Sequence, residues 1–592
     1  EFLSNPHDRT RREALAVRPG VPADHSSRSL GWRTCTRAHL PALCISLSSN
    51  CVSPRRFERS LLIALATVLL LGGCAVGPDF RRPDSPRAQH YGPPGSLATG
   101  TVSAAVAAGE AQRFSTTQDI RSDWWTLFQS PKLNTLIERS FRANPSIDSA
   151  QAALRQAQEN VVAQQGYFFP TVSVSYTPSR NMLAGNMGGN SPGVQGNGRV
   201  IATGSNPPPP YGTNTTGGHY NGPVTYNFHV AQLNIGYVPD VFGLNRRQTE
   251  SAQAQADEMG FQLEATYITL ASNVVAAALQ EAGLREQLAA VKGFIATNRE
   301  SLDIIRKQLA LGFIAQIDVA GQEALLAQAE QALPPLEKQL EQTRDLIRAL
   351  AGQAPSEDVP ETFALADIHL PQELPLSLPS TMIEHRPDVR AAEEELHAVT
   401  AQYGVSIANR LPLFNITAAI GGMAASPDWM FKPGGPFFNI IGAITHTIFD
   451  GGTLRAQSRA AQQAMLQAAA QYRTVVIAAL QNVADTLHAI QSDADTLKAA
   501  DTSEQATKSV LELTRKQYDS GQVSYQILLL AQQSYQLTVL SRVQAQTARL
   551  GDTAALFQAL GGGWWHRKDT AVPSTKTPLA AVGETISTKE AG

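Results

Sequence analysis

Of the side chains that could carry chemistry, one cysteine stands in a context that specifies a reaction. Cys74 follows Leu71-Gly72-Gly73, an apolar run over 61–71, and the basic residues Arg55, Arg56 and Arg59. A charged region, an apolar stretch of about a dozen residues and small residues ahead of a cysteine together make a bacterial lipoprotein signal. The apolar run is shorter than the roughly 20 residues of a spanning helix. Cleavage ahead of Cys74 leaves its thiol free for diacylglycerol. One acyl chain anchors marginally and two or three anchor stably, so a fully acylated Cys74 is a membrane tether. Ala75 follows, in place of the Asp that favours retention at the inner membrane, and the expected address is the outer membrane.

No other residue cluster points to catalysis. Cys35, Cys44 and Cys51 precede the processing site, so the chain from Cys74 onward has no cysteine pair for a disulfide or a thiolate metal site. His385 and His397 lie twelve apart without a His-Glu-x-x-His pattern, and read as ordinary polar surface or interface residues. The glycines of "GVQGNG" (193–198) have neither a strand before them nor a helix after them. The acidic stretch 391–398 reads as a solvated helix face, and no Ser-His-Asp or Cys-His arrangement has supporting context. The expectation is a protein that is not an enzyme, with no metal and no cofactor beyond the covalent lipid on Cys74. From Cys74 onward there are 38 Lys and Arg against 46 Asp and Glu, and the longest basic cluster is "RRQ" at 246–248. Nucleic acid, which needs clustered cations, is excluded as a partner.

The elements that position these residues come in two copies. Asn144-Pro145 opens a helical stretch ending at Pro170, and Arg386-Pro387 opens one ending at Pro412, so both proline pairs are 25 residues apart. Gly243 and Gly312 bracket one long helix, Gly452 and Gly521 another, and both pairs are 69 apart. Each copy reads helix, strand, loop, strand, very long helix, tight glycine turn, long helix. Proline at the first helical position forgoes an N–H that has no partner anyway, and at the far end its ring stops the helix. Residues 246–310 are free of proline and rich in Ala, Gln, Glu and Leu; such a helix extends on the order of 100 Å and needs partners along its whole side.

The predicted strands are short. "TVSVSY" (171–176) sets Val172 and Val174 against Ser173 and Ser175, and "QLNIGYV" (232–238) sets Leu233, Ile235 and Tyr237 against Gln232, Asn234 and Gly236. One greasy face and one polar face suit a strand between lipid and water. "FNITAAI" (414–420) and "NIIGAITHTIF" (439–449) are the second pair, with less regular alternation. After the signal no apolar run reaches about 18 residues, so a membrane crossing requires a closed β-barrel. Four strands cannot close around water alone; three copies supply twelve, and trimerisation follows from closure.

The chain resembles the outer-membrane factor family of the TolC, OprM and NodT type, nearest to the lipoproteins of resistance-nodulation-division tripartite efflux pumps. The resemblance spans about 74–565 and rests on "CAVGPDFRRP" (74–83), "WWTLFQSPKLNTLI" (124–137), "ANPSI" (143–147), "HRPDV" (385–389), "FDGG" (449–452) and "ALGGGW" (559–564), in that order on the duplicated plan. It implies an α+β fold of mainly long helices: a homotrimer with a twelve-stranded outer-membrane barrel, four strands per chain, continuous with a periplasmic α-helical barrel. The outer loops would be 178–226 and 422–436, and an equatorial collar would come from 97–130, 355–380 and the tail after Trp564. Gly312 and Gly521 would lie at the periplasmic tip, where an adaptor (membrane fusion) protein docks and the closed pore is constricted. A proton-driven inner-membrane transporter would supply the energy.

The expected organisation is a non-native or disordered extension over 1–54, a signal peptide over 55–73, a lipidated segment and collar over 74–123, a first repeat over 124–354, a linker over 355–380, a second repeat over 381–565 and a disordered tail over 566–592. One departure from the family bears on the pore. Members commonly carry acidic residues just after the second glycine turn, whereas here the positions six and nine after Gly521 are Ile527 and Leu530, with Asp318 retained six after Gly312 in the first copy. These three residues are the expected constriction, with an apolar resting gate that opens by wetting. The implied function is a passive exit duct for drugs or other small molecules. Type I protein secretion, metal-ion export and a poreless periplasmic coiled-coil lipoprotein are the alternatives; scattered methionines speak against copper or silver, and alternating strands against a rod.

Overall fold

The computed structural model describes residues 75–84, 90–93, 99–116, 118–183 and 224–567. Cys74, the segments expected to be extension and signal, and the tail beyond 567 lie outside the described residues. In the first copy, α1 (Pro131–Ala143) and α2 (Pro145–Gln165) lead into strands β2 (Thr171–Leu183) and β3 (Val224–Tyr237), then α3 (Leu244–Ala310) and α4 (Gln316–Leu350); the short β1 (Arg113–Ser115) precedes them. In the second, β4 (Glu373–Pro375) and α5 (Pro379–His385) precede α6 (Pro387–Ala408), followed by β5 (Leu413–Ala424), β6 (Pro436–Thr445), α7 (Thr453–Asp519) and α8 (Tyr525–Ala559). The long helices match in length, with 67 residues in both α3 and α7 and 35 in both α4 and α8. Pro131, Pro145, Pro379 and Pro387 all open helices, and the Asn144 side chain caps α2 by accepting from the Ser146 N–H at 2.9 Å.

The strands run longer than their alternation indicates. Pairing of β2 with β3 continues through Pro178↔His229 to Leu183↔Val224, so both ends of the expected 178–226 loop are strand. Pro178 lies within this pairing, opposite His229. The expected 422–436 loop likewise contributes its ends to β5 and β6, while the expected 439–449 strand stops at Thr445. The outer half of β2 carries no apolar alternation and is revealed by its pairing partner, whereas in β3 Val224, Tyr226, Phe228 and Val230 alternate with Thr225, Asn227 and His229.

Helices pack closely where small side chains allow. A Cβ on Gly283 of α3 would lie 2.3 Å from Thr547 Oγ1 of α8. Midway along the helices β1 and β4 pair in parallel, and segments expected for the collar wrap a core in which Trp124 stacks on Phe557 at 5.2 Å with Phe128 and Phe363 buried beside them. Arg344 of α4, buried, donates to the carbonyls of Glu361 (2.6 Å) and Val359 (2.7 Å), tying the inter-repeat segment to the helix. Arg549 of α8, also buried, donates from Nη2 to Thr101 Oγ1 (3.1 Å) and the Glu110 carbonyl (2.6 Å).

Near Arg549, Asp493 of α7 and Asp552 of α8 are close enough for their carboxylate charges to oppose each other. Burial and the Asp552 carboxyl push Asp493 up to about 7, against the pull of Arg549.

Two expectations follow. Trp124→Ala, which empties a fully buried site, costs about 3–5 kcal/mol and exposes the 99–130 segment to protease under conditions where the long helices remain folded. A carboxyl raised in the folded state stabilises fully below its unfolded pKa of about 3.9 and loses that contribution as pH rises through about 7. The melting-temperature difference between wild type and Asp552→Asn, which removes the opposing carboxyl, therefore shrinks from about pH 5 to about pH 8; a difference independent of pH would refute the coupling of the two carboxyls.

Candidate functional site

The sheet order is β2-β3-β5-β6, antiparallel throughout. Directly opposed residues share a face, and the register aligns like with like. Val172, Ile235, Ala418 and Ile440 form one row across all four strands, and Val174, Leu233, Ile420 and Phe438 the next on the same face. The other face carries Ser173, Asn234, Ala419 and Asn439, then Ser175, Gln232, Gly421 and Phe437, and farther along the strands it also takes Ile441 opposite Thr417 and Val230 between Thr177 and Met423. Gln232 Nε2 donates to Asn234 Oδ1 (2.7 Å) and Asn234 Nδ2 to Ser175 Oγ (3.0 Å), so the polar face forms a network of its own. On the apolar face Val174, Phe438 and Ile440 are each more than 70% exposed; a continuous surface of that kind is suited to hydrocarbon. The second strand pair, irregular as sequence, becomes two-faced once its register is known.

At the opposite end, the glycine turns close α3 and α7 in the same way. Gly312 (φ 79°) and Gly521 (φ 72°) occupy the left-handed region. The next N–H in each case returns to the helix, Phe313 to the Gln308 carbonyl and Gln522 to the Gln517 carbonyl, both at 2.9 Å. A buried relay joins three helices behind them: Tyr525 Oη donates to Gln322 Oε1 (2.7 Å), and Gln322 Nε2 donates to the Asn298 carbonyl (2.9 Å) and Oδ1 (3.2 Å). Burial raises the Tyr525 and Tyr518 hydroxyl pKa values, keeping both as donors.

The three residues expected at the constriction differ in their surroundings. Asp318 caps α4, its Oδ2 accepting from the Ala315 N–H at 3.2 Å. Ile527 takes the equivalent place in α8, and its side chain (47% exposed) and that of Leu530 (60%) point away from the buried Tyr525 and Leu528. Leu311, Phe313 and Ile317 are more than 70% exposed on the first turn. The tip of the isolated chain thus exposes Leu311, Phe313 and Ile317 beside the capping carboxylate of Asp318 and the exposed Asp519.

Cys74, the expected lipid acceptor, lies outside the described residues, but the residues after it are engaged with the helices by a set of contacts that the sequence does not disclose. The stretch 391–398 is not the solvated face expected: Glu393 and Glu394 are buried, because Arg390 pairs with Glu393 (2.8 Å) and His397 Nδ1 lies 3.0 Å from Glu394. His397 also meets Glu250 at 3.2 Å, and although burial lowers its pKa, the two carboxylates raise it to about 9. His385 differs: it stacks on Trp565 at 4.1 Å, and burial lowers its pKa. Among the described residues no group of three or more His, Cys, Asp or Glu could hold a metal ion, and no helix is long and apolar enough to cross a membrane.

Comparison with known proteins follows this geometry. The pyoverdine export outer membrane protein OpmQ of Pseudomonas putida is 26% identical over 442 residues, covering 74% of this chain and 88% of that protein. Nodulation protein T of Rhizobium leguminosarum bv. trifolii is 24% identical over 505 residues, covering 84% and 96%. The solved outer-membrane channel OprN has the same fold, with a TM-score of 0.70 at 24% identity over 83% of this chain and 100% of that one. The outer membrane efflux protein model matches residues 136–353 and 378–562, once in each copy of the plan. With that model covering more than half of its length, the chain belongs to the outer membrane efflux protein family, whose members are channels and not enzymes.

Proposed function

We propose that this protein is the outer-membrane exit duct of a tripartite efflux system: a homotrimer whose twelve strands close a barrel in the membrane and whose long helices form a periplasmic tube. The observation that carries this reading is the four-stranded sheet, whose central rows are apolar on one face and largely polar on the other, with β2 and β6 as edges. In hydrocarbon an unpaired edge costs several kcal/mol per backbone group, so edge β6 of one copy pairs with edge β2 of the next until the ring closes. A tube of this kind has no energy source of its own. An inner-membrane proton-driven transporter, reached through a periplasmic adaptor, drives export, and the adaptor seats on the apolar tip around Gly312 and Gly521. The acylated Cys74 anchors the protein in the outer-membrane lipid. The cargo is a class of drugs or other small molecules, in keeping with a relative named for pyoverdine export.

Ile527 and Leu530 narrow the resting pore with an apolar ring, and Asp318 serves as a helix cap. Opening untwists the helices next to the glycine turns.

The tests are electrical and genetic. Wild-type trimers in planar bilayers show weak cation preference, and Leu530→Asp, which adds three carboxylates to the ring, raises it several-fold; equal selectivity in the two proteins would remove Leu530 from the pore. A disulfide engineered between tip helices of neighbouring subunits abolishes export under oxidising conditions and spares it under reduction. Full export with the crosslink verified would reject gating at the tip.

A further inference from the structure

The residues just after the lipid acceptor are held far more tightly than a tether requires. The Val76 N–H donates to the Phe242 carbonyl at 3.1 Å, in the six-residue link between the end of β3 and the start of α3. Ala75 presses on Gly243, where a Cβ would lie 2.5 Å from its Cα. Gly77 (φ 99°) presses on Gly404 of α6, where its own Cβ would lie 2.6 Å from that Cα. Arg247 of α3, its side chain 4% exposed, closes over the segment: Nε donates to the Val76 carbonyl (3.2 Å), Nη2 to Asp79 Oδ1 (2.6 Å) and Nη1 to Glu250 Oε2 (2.7 Å). Phe80 stacks on His397 at 4.4 Å, and Arg82 pairs with the buried Glu393 at 3.1 Å.

These contacts descend a groove between α3, from the first copy of the plan, and α6, from the second. They begin at the lower rim of the sheet, where Phe242 meets Phe414 at the start of β5 with ring centres 6.2 Å apart. A guanidinium is suited to the task, since its rigid fork reaches a carbonyl and two carboxylates at once. Two glycines at sites of backbone contact allow the chain to lie flush. Consecutive Cα atoms are about 3.8 Å apart, so a seated Ala75 confines the residue before it to the neighbourhood of that rim.

We propose that residues 75–82 form a strap, seated by Arg247 as its positioning residue, which sets the level at which the lipid-bearing end of the chain meets the membrane. The partner is the acyl layer of the periplasmic leaflet, entered by the lipid and by the lower rim of the apolar sheet face at one depth. This rests on the acylation of Cys74 proposed above. The strap also staples the two copies of the plan together at the membrane boundary, where the chain changes from strand to helix.

The experiment uses the full chain reconstituted in phospholipid bilayers. Hydrogen exchange at Val76 is slow in wild type and about tenfold or more faster in Arg247→Ala, the effect of losing charged hydrogen bonds, while exchange in α3 and α6 is unchanged. Arg247→Lys, lacking the fork, restores only part of the protection. A fluorophore on Arg81→Cys, quenched by lipids spin-labelled at different depths, reports one depth in wild type and a spread of depths when Arg247→Ala is added, which mere stabilisation of the fold would not produce. Gly77→Val, which blocks seating without altering either helix, gives the same two results. Unchanged exchange at Val76, or an unchanged quenching profile, in both Arg247→Ala and Gly77→Val overturns the proposal. The acylation reading is judged separately: the mass of the amino-terminal peptide shows whether Cys74 carries lipid, and Cys74→Ser keeps Val76 protected if Arg247 seats the strap. Loss of protection in Cys74→Ser with protection retained in Arg247→Ala assigns the order to the lipid and sinks the strap.

Discussion

A backbone amide in hydrocarbon has no water to fall back on, and most features of this protein answer to that fact. The sheet satisfies it internally between β2 and β3, β3 and β5, and β5 and β6. The outer edges of β2 and β6 remain, and in the proposed duct they pair with copies of the same chain. Because the register places Val174, Leu233, Ile420 and Phe438 in one row, a slip of one residue in any strand would turn apolar side chains toward the polar face. Oligomer, register and membrane location are therefore linked through one requirement.

The helical part obeys a different constraint. Helices of 67 residues cannot be stabilised by propensity alone and depend on burial along their length. The chain supplies it unevenly. Around the middle, Trp124, Phe128, Phe363 and Phe557 give a dense core, with Arg344 and Arg549 fastening the surrounding segments. Toward the tip the buried set thins to Leu302, Ile305, Val319, Tyr525 and Leu528, supported by the Gln322 relay. Fewer buried contacts mean lower local stability, which places the easily deformed end where a gate in the proposed duct would need it.

Buried charge marks the joints between these parts. Glu393, Glu394, Arg247 and His397 sit where strand gives way to helix and where residues 75–82 lie in their groove. Asp493, Asp552 and Arg549 sit where the collar segments meet α7 and α8. An apolar contact could serve either place, but it would tolerate sliding. Ion pairs with several fixed partners specify one alignment, and alignment is what a tube assembled from long parallel elements must keep.

The elements themselves were legible in the residues. Prolines 25 apart and glycines 69 apart mark the repeat because caps and stops act within a turn, and the alternation of 171–176 marks a two-faced strand because side chains alternate locally. Tertiary structure decided what depends on a distant partner. The outer half of β2 forms because β3 lies beside it, and α4 continues through Pro334 and Pro335, a pair that reads locally as a break. The acidic stretch 391–398 is buried because Arg82 and Glu250 reach it from elsewhere, and Arg247, seen in sequence only as part of a short basic cluster, closes on Asp79 across 168 residues. Periodicity records which face of an element is apolar; it carries no record of which remote charge will meet that face, and the strap, the opposed carboxyls of Asp493 and Asp552 and the register of the sheet all rest on such meetings.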